Sequence, residues 1–275
     1  MCELIAKTDI QSIGGIERLI VGGARVARLN LDETARLMAS LARQPVPEHG
    51  PRYLTSVNGE VLARRHRSPS FAALIDSADL ISADGQPLVF ASRLLLSEGL
   101  PERVATTDLY WVVARMAQEQ GVSFYLYGAE EEMNRRACEM SRSRFPQLDI
   151  RGRSHGYLRG GELDRKLDEI NALAPDILWL GLGVPQEQEF IRDHRARLRN
   201  VKLIKTSGGL FDFVAGAKSR APLWMQKCCM EWAYRLAIEP RRLLVRYVTT
   251  NPVALLLLLT QTRREVLGKP QPQDA

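Results

Sequence analysis

The sequence is poor in cysteine, and it lacks metal-binding motifs and a signal sequence. Its 275 residues include four cysteines, and the adjacent pair Cys228 and Cys229 does not make a disulfide framework. No C-x-x-C motif is present, the four histidines have no ligand spacing, and no Asp-x-Asp pair occurs. The N-terminus has no basic region followed by an apolar core. These absences predict a protein of a reducing compartment without a metal site or a secretory signal.

Long apolar runs are also missing. The most apolar window, residues 253–259, has seven apolar residues in a row, whereas a transmembrane helix needs about 20. We therefore expect this segment to be too short to cross a bilayer and to form a buried or an interfacial helix. The composition, 45% hydrophobic and 25% charged, is typical of a soluble globular protein and excludes a disordered, collagen-like or coiled-coil chain.

Positive charge is concentrated near the C-terminus. The whole chain has 38 basic and 32 acidic residues. Between residues 218 and 247, only Glu231 and Glu239 oppose seven basic residues, namely Lys218, Arg220, Lys227, Arg235, Arg241, Arg242 and Arg246. Because these cations share their segment with many apolar residues, the pattern favours contact with an anionic membrane surface over contact with nucleic acid. A solvated basic surface is the alternative.

Short apolar runs alternate with amphipathic segments from residue 53 onward. Strands are predicted at 53–57, 79–82, 123–128, 177–181 and 201–205. Helices are predicted at 31–41, at 59–67, from the end of the third strand to Arg144, and at 186–198. For the helix at 31–41, Asn30 and Asp32 are both candidate N-caps. This alternation predicts an α/β, Rossmann-like, mostly parallel sheet with helices on both faces.

Two units are predicted along the chain. Residues 1–216, with a lead-in at 1–50, are expected to form the Rossmann-like catalytic domain, and 217–275 a basic, apolar, helical membrane-docking appendage. Within the appendage, an apolar helix is predicted over 223–238, with Lys227, Glu231 and Arg235 at i, i+4 spacing. The pattern leaves open whether this helix docks on the core, on a second copy in a homo-oligomer, or on lipid.

Polar residues that follow the predicted strands are candidate site residues, because ligands of parallel sheets bind beyond the carboxyl ends of the strands. Asp84, between Ala83 and Gly85, is suited to act as a general base, or it caps the next helix. Ser56 and Asn58 offer donors and acceptors for sugar hydroxyls, or they cap a helix.

The sequence GLG at 181–183 is half of a dinucleotide-binding fingerprint. The third glycine is absent and Pro185 follows, which disfavours NAD. A helix start with free amides for a phosphate or sugar oxygen remains, as does a plain strand-to-helix turn. Without a metal site, the charge of a diphosphate leaving group would have to be met by arginines of the C-terminal cluster.

Several motifs together resemble the WecG/TagA/CpsF family of bacterial glycosyltransferases. They are TSVNGE at 55–60, ADG at 83–85, RV at 103–104, DL at 108–109, PDILWLGLGVP at 175–185, GGLFDFVAG at 208–216, RAP at 220–222, EWAYR at 231–235 and EPRR at 239–242. Each motif alone is weak, but their joint order and spacing over residues 50–250 are highly specific.

The resemblance implies an inverting, metal-independent and cofactor-free transferase at the cytoplasmic membrane face. It implies transfer of a hexose, by default N-acetylmannosamine, from a UDP-sugar donor to a polyprenyl-diphosphate-linked acceptor. Transfer of glucose or another hexose for exopolysaccharide assembly is an alternative within the family. Outside it, a UDP-sugar epimerase and a non-catalytic membrane scaffold are less favoured alternatives.

The resemblance also implies roles for individual residues. Asp84 matches the family's proposed base, and the remaining matched positions are expected to bind substrate, namely Ser56, Asn58, Asp108, Glu187, Gln188, Arg235, Arg242 and Arg246. Glu187 stands where the family often has Gln, with Gln188 next to it. Val245 stands where an arginine is usual, and the adjacent Arg246 is rotated by about 100° on a helix.

Overall fold

The computed structural model describes residues 12–265, whose centre is a parallel sheet of six strands. A hairpin precedes it, made of β1 (Arg18–Val21) and β2 (Ala24–Ala27). The strands of the sheet are ordered β4-β3-β8-β7-β5-β6. They are β3 (Arg52–Val57), β4 (Leu80–Ala83), β5 (Phe124–Gly128), β6 (Ile150–Ser154), β7 (Ile177–Gly181) and β8 (Leu203–Thr206). The predicted Rossmann-like α/β fold is confirmed.

Helices cover both faces of this sheet. In chain order they are α1 (Leu31–Leu41), α2 (Gly59–Arg67), α3 (Pro69–Asp76), α4 (Gln86–Leu95), α5 (Thr106–Gln120), α6 (Glu131–Arg144), α7 (Gly160–Leu173), α8 (Gln186–His194), α9 (Leu210–Val214), α10 (Leu223–Lys227), α11 (Glu231–Ile238) and α12 (Pro240–Thr260). Of the two candidate caps of α1, Asn30 is the N-cap, and it forms a capping box with Glu33.

Strands β5 (FYLYG) and β7 (ILWLG) are buried throughout and contain no charged residue, because both faces of the sheet are covered there. Alternate residues point to opposite sides: Phe124 and Trp179 pack under α1, α5, α6 and α9, whereas Tyr125 and Leu178 pack under α7 and α8. Tyr110 of α5 completes an aromatic cluster, with its ring centroid 5.0 Å from that of Trp179. This core holds the strand ends, and therefore the site, in fixed positions.

The five predicted strands agree with the observed ones to within two residues, but the hairpin strands β1 and β2 were not predicted, and two further details differ. Strand β6, with the sequence IRGRS, was not predicted, because arginines interrupt its apolar pattern at the edge of the sheet. The helix predicted over 186–198 is α-helical only to His194 and ends in a 3-10 turn over Arg195–Arg197.

The helix predicted over residues 223–238 is wrong as a single element. The chain forms two short helices, α10 and α11, separated by residues 228–230. Cys229 has φ +59°, in the left-handed region, so the right-handed helix stops there. The pair of Glu231 and Arg235 forms as the spacing predicts, at 2.6 Å. The side chain of Lys227 lies outside the described part of the structure.

Helix α12 is longer than the apolar run at 253–259 on which the prediction was based. Residues 253–259 lie in the second half of this helix of 21 residues. Its window Leu243–Thr260 is long and apolar enough, by length and composition, to cross a membrane, and 28% of that window is buried in the protein. The expectation that no segment is long enough is therefore corrected. One side of α12 packs along α2 and α4 through Ala254, Leu257 and Leu258.

The last described strand, β9 (Arg263–Arg264), returns to the N-terminal hairpin. It pairs antiparallel with β1, which gives a three-stranded sheet in the order β2-β1-β9. The described part of the lead-in also packs on the core, because α1 lies against α5. The division of the chain at residue 216 stays a prediction.

Candidate active site

A cleft of about 430 Å³ lies at the carboxyl edge of β3 and β4, beneath α11 and α12. It brings together four of the predicted site residues, Asn58, Asp84, Arg235 and Arg246. Further polar residues line it that the sequence analysis did not single out as site residues, among them Glu60, Arg103 and Glu231. Strand ends thus supply one wall, and the C-terminal helices supply the other.

Asp84 is a partly buried carboxylate that accepts four hydrogen bonds. Its Oδ1 accepts from Nε and Nη2 of Arg103 at 3.4 and 3.2 Å, and its Oδ2 accepts from the backbone N–H and the hydroxyl of Thr106 at 3.2 and 3.0 Å. Asp84 therefore does bind the first backbone N–H of a helix, as the capping alternative proposed, but the helix is α5, which begins at Thr106. The N-cap of α4, the next helix, is Gly85, which has no side chain that could cap it.

Asn58 serves both of the roles considered for it. Its Oδ1 accepts from the backbone N–H of Val61 at 3.1 Å and caps α2. The same side chain lines the cleft beside Asp84. Because capping fixes its rotamer, Asn58 presents a rigid polar group to a ligand.

Ser56 lies beneath the cleft and is not part of its lining. Its Oγ accepts from Nζ of Lys205 at 2.8 Å and lies 3.4 Å from Oγ1 of Thr106. Lys205, on the central strand β8, is fully buried. Burial lowers the pKa of Lys205 to about 8, and the carboxylates of Asp84 and Glu187 oppose that shift. The sequence analysis treated Lys205 only as part of a strand.

Glu187 and Gln188 are buried at the start of α8, away from the lining of the cleft. Glu187 accepts from the backbone N–H of Gly208 at 2.8 Å and from Nε2 of Gln188 at 3.2 Å. Burial raises the pKa of Glu187, although these hydrogen bonds and Lys205 oppose the shift. Neither side chain joins Asp84 in the cleft.

Arg103 joins the sheet to helix α11. Besides Asp84, its guanidinium donates to Oε2 of Glu231 at 2.5 Å, and Glu231 also accepts from Arg235 at 2.6 Å. Burial lowers the pKa of Arg103, but the two carboxylates more than offset this and raise it overall. Arg103 belongs to a family motif, but no local sequence signal connects it with a glutamate 128 residues away.

The other predicted residues have separate surroundings. Arg246 pairs with Glu60 at 2.9 Å and lines the cleft, whereas the neighbouring Val245 is exposed. Asp108, in the first turn of α5, forms an ion pair with Arg220 and does not line the cleft. The side chain of Arg242 lies outside the described part of the structure.

Cations of the C-terminal segment bind carboxylates of the sheet domain. This pairing involves three of the seven basic residues that were noted in the sequence. The pairs are Lys218 with Asp212, Arg220 with Asp108, and Arg246 with Glu60. Across residues 12–265, no group of three or more His, Cys, Asp or Glu side chains is arranged to hold a metal ion.

A Rossmann-like sheet with a carboxylate and arginines at its carboxyl edge is typical of enzymes that act on phosphate-containing substrates. A family model is more specific: that of the Glycosyl transferase WecG/TagA/CpsF family matches residues 19–267. The chain belongs to this family, as its motifs indicated, and it is a glycosyltransferase.

Three relatives share one name, N-acetylglucosaminyldiphosphoundecaprenol N-acetyl-beta-D-mannosaminyltransferase. The Bacillus subtilis (strain 168) protein is 28% identical over 220 residues, 80% of this chain and 84% of its own. The Bacillus spizizenii protein is 30% identical over 190 residues, 69% and 72% of the two chains. The Staphylococcus aureus (strain MRSA252) protein is 28% identical over 191 residues, 70% and 74%.

Proposed function

We propose that the protein transfers a hexose from a UDP-sugar to a sugar linked to undecaprenyl diphosphate, with inversion and without a metal ion. N-acetylmannosamine is the default donor sugar, because the relatives are named for its transfer to such an acceptor. The observation that carries the proposal is the carboxylate of Asp84, fixed at a strand end and facing a cleft with three arginines.

In this mechanism, Asp84 is the general base. An acceptor hydroxyl gives its proton to the Asp84 carboxylate while its oxygen attacks the anomeric carbon of the donor from the face opposite UDP. The new C–O bond forms as the bond to the UDP oxygen breaks, and that electron pair leaves with UDP. One displacement of this kind inverts the anomeric configuration. Asn58, held by its capping bond, is placed to contact a sugar hydroxyl.

The arginines of the cleft have to change partners when a diphosphate binds. Arg235 and Arg246 are each paired with a glutamate, Glu231 and Glu60 respectively. A diphosphate brings at least two negative charges, and it competes for the same guanidinium donors through bidentate hydrogen bonds. The positive charges would then offset the charge that develops on departing UDP.

The cleft mouth is proposed to face the inner surface of the cell membrane. Trp232 and Leu255 line the cleft and are also exposed. The apolar rim continues along α4 through Phe90 and Leu94, which are 63% and 66% exposed. Exposed apolar residues beside basic ones are typical of a surface that contacts anionic lipid. A lipid-linked acceptor could then reach Asp84 without leaving the membrane.

The first experiment is a donor screen on purified protein in EDTA. The acceptor is a short-chain polyprenyl diphosphate carrying N-acetylglucosamine, and release of UDP is followed with several UDP-hexoses. We expect release that requires acceptor with one donor, and Asp84→Asn should lose activity by at least about a hundredfold. Asp149→Asn, an exposed carboxylate paired with Arg151, is the matched control.

Other outcomes of this screen would reject parts of the proposal. Turnover of a UDP-sugar without acceptor would indicate an epimerase, and no binding of any UDP-sugar would indicate a scaffold. Dependence on added metal would contradict the arginine mechanism. Near-wild-type turnover in folded Asp84→Asn would show that Asp84 is not the base.

Vesicle binding tests the membrane surface separately. Phe90→Glu and Leu255→Glu should each reduce co-sedimentation with phosphatidylglycerol vesicles several-fold, because each puts a charge into the apolar rim. Tyr157→Glu is the control, since Tyr157 is also 63% exposed but follows β6 at the other edge of the sheet. Equal binding of all three variants would refute this orientation.

A further inference from the structure

Lys205 is a charged side chain in the interior of the central sheet. It has no exposed surface, and its strand β8 lies between β3 and β7. Its Nζ donates to Oγ of Ser56 at 2.8 Å and to the backbone oxygen of Thr206 at 2.9 Å. An ammonium group so buried is costly unless carboxylates and hydrogen bonds compensate it.

The hydrogen bonds that lead from Lys205 to Asp84 can run in only one direction. An ammonium group has donors and no acceptor, and a carboxylate has acceptors and no donor. The hydroxyl of Ser56 accepts from Lys205 and lies 3.4 Å from the Thr106 hydroxyl, which is 3.0 Å from Oδ2 of Asp84. The two hydroxyls between the charges therefore both point their protons toward Asp84.

Glu187 approaches Lys205 from α8, on the other side from Asp84. It is buried as well and is held by the backbone N–H of Gly208. The charged groups that act on Lys205 are thus Asp84, from the loop after β4, and Glu187. The hydrogen bonds to Ser56 and to the backbone of Thr206 compensate part of the cost of burying this ammonium group, and the bond to Ser56 also connects it to the hydroxyl of Thr106 beside Asp84.

We propose that Lys205 is a positioning residue for sugar transfer: its ammonium group orients the Ser56 and Thr106 hydroxyls so that Thr106 donates to Oδ2 of Asp84. This holds the carboxylate in one orientation. The acceptor hydroxyl then reaches the Asp84 carboxylate by displacing a contact of Arg103 with Oδ1, while Thr106 keeps Oδ2 in place. The inference rests on the proposed role of Asp84 as the base.

The pKa of Lys205 gives this arrangement a pH dependence. Because burial lowers that pKa to about 8, Lys205 is charged below pH 8 and becomes neutral above it. A neutral amine can accept a proton from Ser56, which would reverse the direction of the hydrogen bonds. We therefore expect the rate of transfer to fall as the pH rises through about 8.

The test uses three variants, Lys205→Met, Glu187→Gln and the two combined. Lys205→Met leaves Glu187 without its cation and should lower the melting temperature. In the double variant, neutral Met and Gln replace Lys and Glu, and each is similar in size to the side chain that it replaces. No unpaired charge is left buried, so the melting temperature of the double variant should return to that of Glu187→Gln. Its kcat should nevertheless stay about tenfold to a hundredfold below that of Glu187→Gln, with KM changed less than about twofold.

The alkaline decline near pH 8 should be absent from the double variant. Ser56→Ala is an independent check, because it breaks the hydrogen bonds without changing any charge. It should lower kcat and remove the same decline. If the double variant instead has the kcat and pH profile of Glu187→Gln, Lys205 only neutralises Glu187 and the inference is wrong.

Asp84→Asn, measured in parallel, distinguishes a failure of the proposed base from a failure of the proposed role of Lys205. If it keeps near-wild-type turnover, the proposed base is wrong and the role of Lys205 falls with it. If it is inactive while the double variant matches Glu187→Gln, only the inference about Lys205 is overturned.

Discussion

Replacing Glu231 by glutamine should weaken the attachment of helix α11 to the rest of the protein, because Glu231 binds Arg103. Glu231 accepts one hydrogen bond from Arg103 and one from Arg235, at 2.5 and 2.6 Å, and its side chain is 13% exposed. Glu231→Gln keeps the shape but removes the charge that both guanidinium groups contact. Arg103 then retains only Asp84 as a charged partner, which favours a closer pairing with the proposed base.

The expected cost is about 2 kcal/mol. A hydrogen bond to a charged group contributes about 1.5–3 kcal/mol, and removing one partner of a buried ion pair costs about 3–5 kcal/mol. The loss here is smaller than the second figure, because the glutamine oxygen still accepts one bond and Arg103 keeps Asp84. For a chain of this size, about 2 kcal/mol corresponds to about 4–8 °C in melting temperature.

Thermal unfolding followed by circular dichroism measures this change, and UDP release measures its effect on turnover, which we expect to fall about tenfold. Glu132→Gln is the matched control, because Glu132 pairs with Arg135 on the exposed surface of α6, where solvent screens such a pair and it contributes little to stability. If Glu231→Gln melts within about 1 °C of the control and has full activity, the pair does not hold α11.

The loss of stability in Glu231→Gln should depend on pH, and the pKa of Glu231 determines how. Burial raises that pKa, but Arg103 and Arg235 more than offset the effect and lower it overall. The stabilisation is therefore fully present above the ordinary glutamate pKa of about 4.3, and it is lost as the pH falls through the lowered value of the folded state. The difference in the free energy of unfolding between wild type and Glu231→Gln should be the same at pH 6 and pH 8. It should become smaller only when the pH falls below about 4.3.

Three further changes test the core and the site. Trp179→Ala should cost about 3–5 kcal/mol in urea unfolding, because the side chain is fully buried; a cost below about 1 kcal/mol would contradict the packing described. Gly128→Ala should abolish soluble expression, because a Cβ there would collide with the backbone of β7, whereas Gly121→Ala has open space and should cost only about 1 kcal/mol. Thr106→Val should lower turnover about tenfold by removing its hydroxyl donor to Asp84, and unchanged kinetics would show that this bond is dispensable.

The strands were predictable because each is a short apolar run between helices, and such a pattern has few solutions other than a parallel sheet. The same rule brought Asn58 and Asp84 together, since both follow strands that pair in parallel. Strand β6 was not predictable because only Ile150 and Ser154 of its sequence IRGRS are buried, whereas all four residues of β4, at the other edge of the sheet, are buried. The break at Cys229 had no signal either, since a left-handed residue is usually glycine or asparagine.

The electrostatic part of the site was harder to predict than the fold. Arg103 and Glu231 are 128 residues apart in the sequence, and only the fold brings them into contact. Lys205 looked like an ordinary lysine at the end of a strand, and its burial depends on neighbours on both sides of β8. Charges that act over such distances along the chain leave no periodic trace in the sequence.

The pairing of β9 with β1 has a consequence for any rearrangement of the C-terminal helices. The segment from α10 to α12 is attached to the protein at both of its ends, by the backbone after α9 and by strand β9. If α10 and α11 lifted from the cleft, they would do so as a loop whose anchors stay in place, so returning to the cleft would cost little chain entropy. A chain truncated after residue 217 would lose this anchor and leave the edge of β1 unpaired, so point substitutions within α11 and α12 probe the helices more selectively than truncation does.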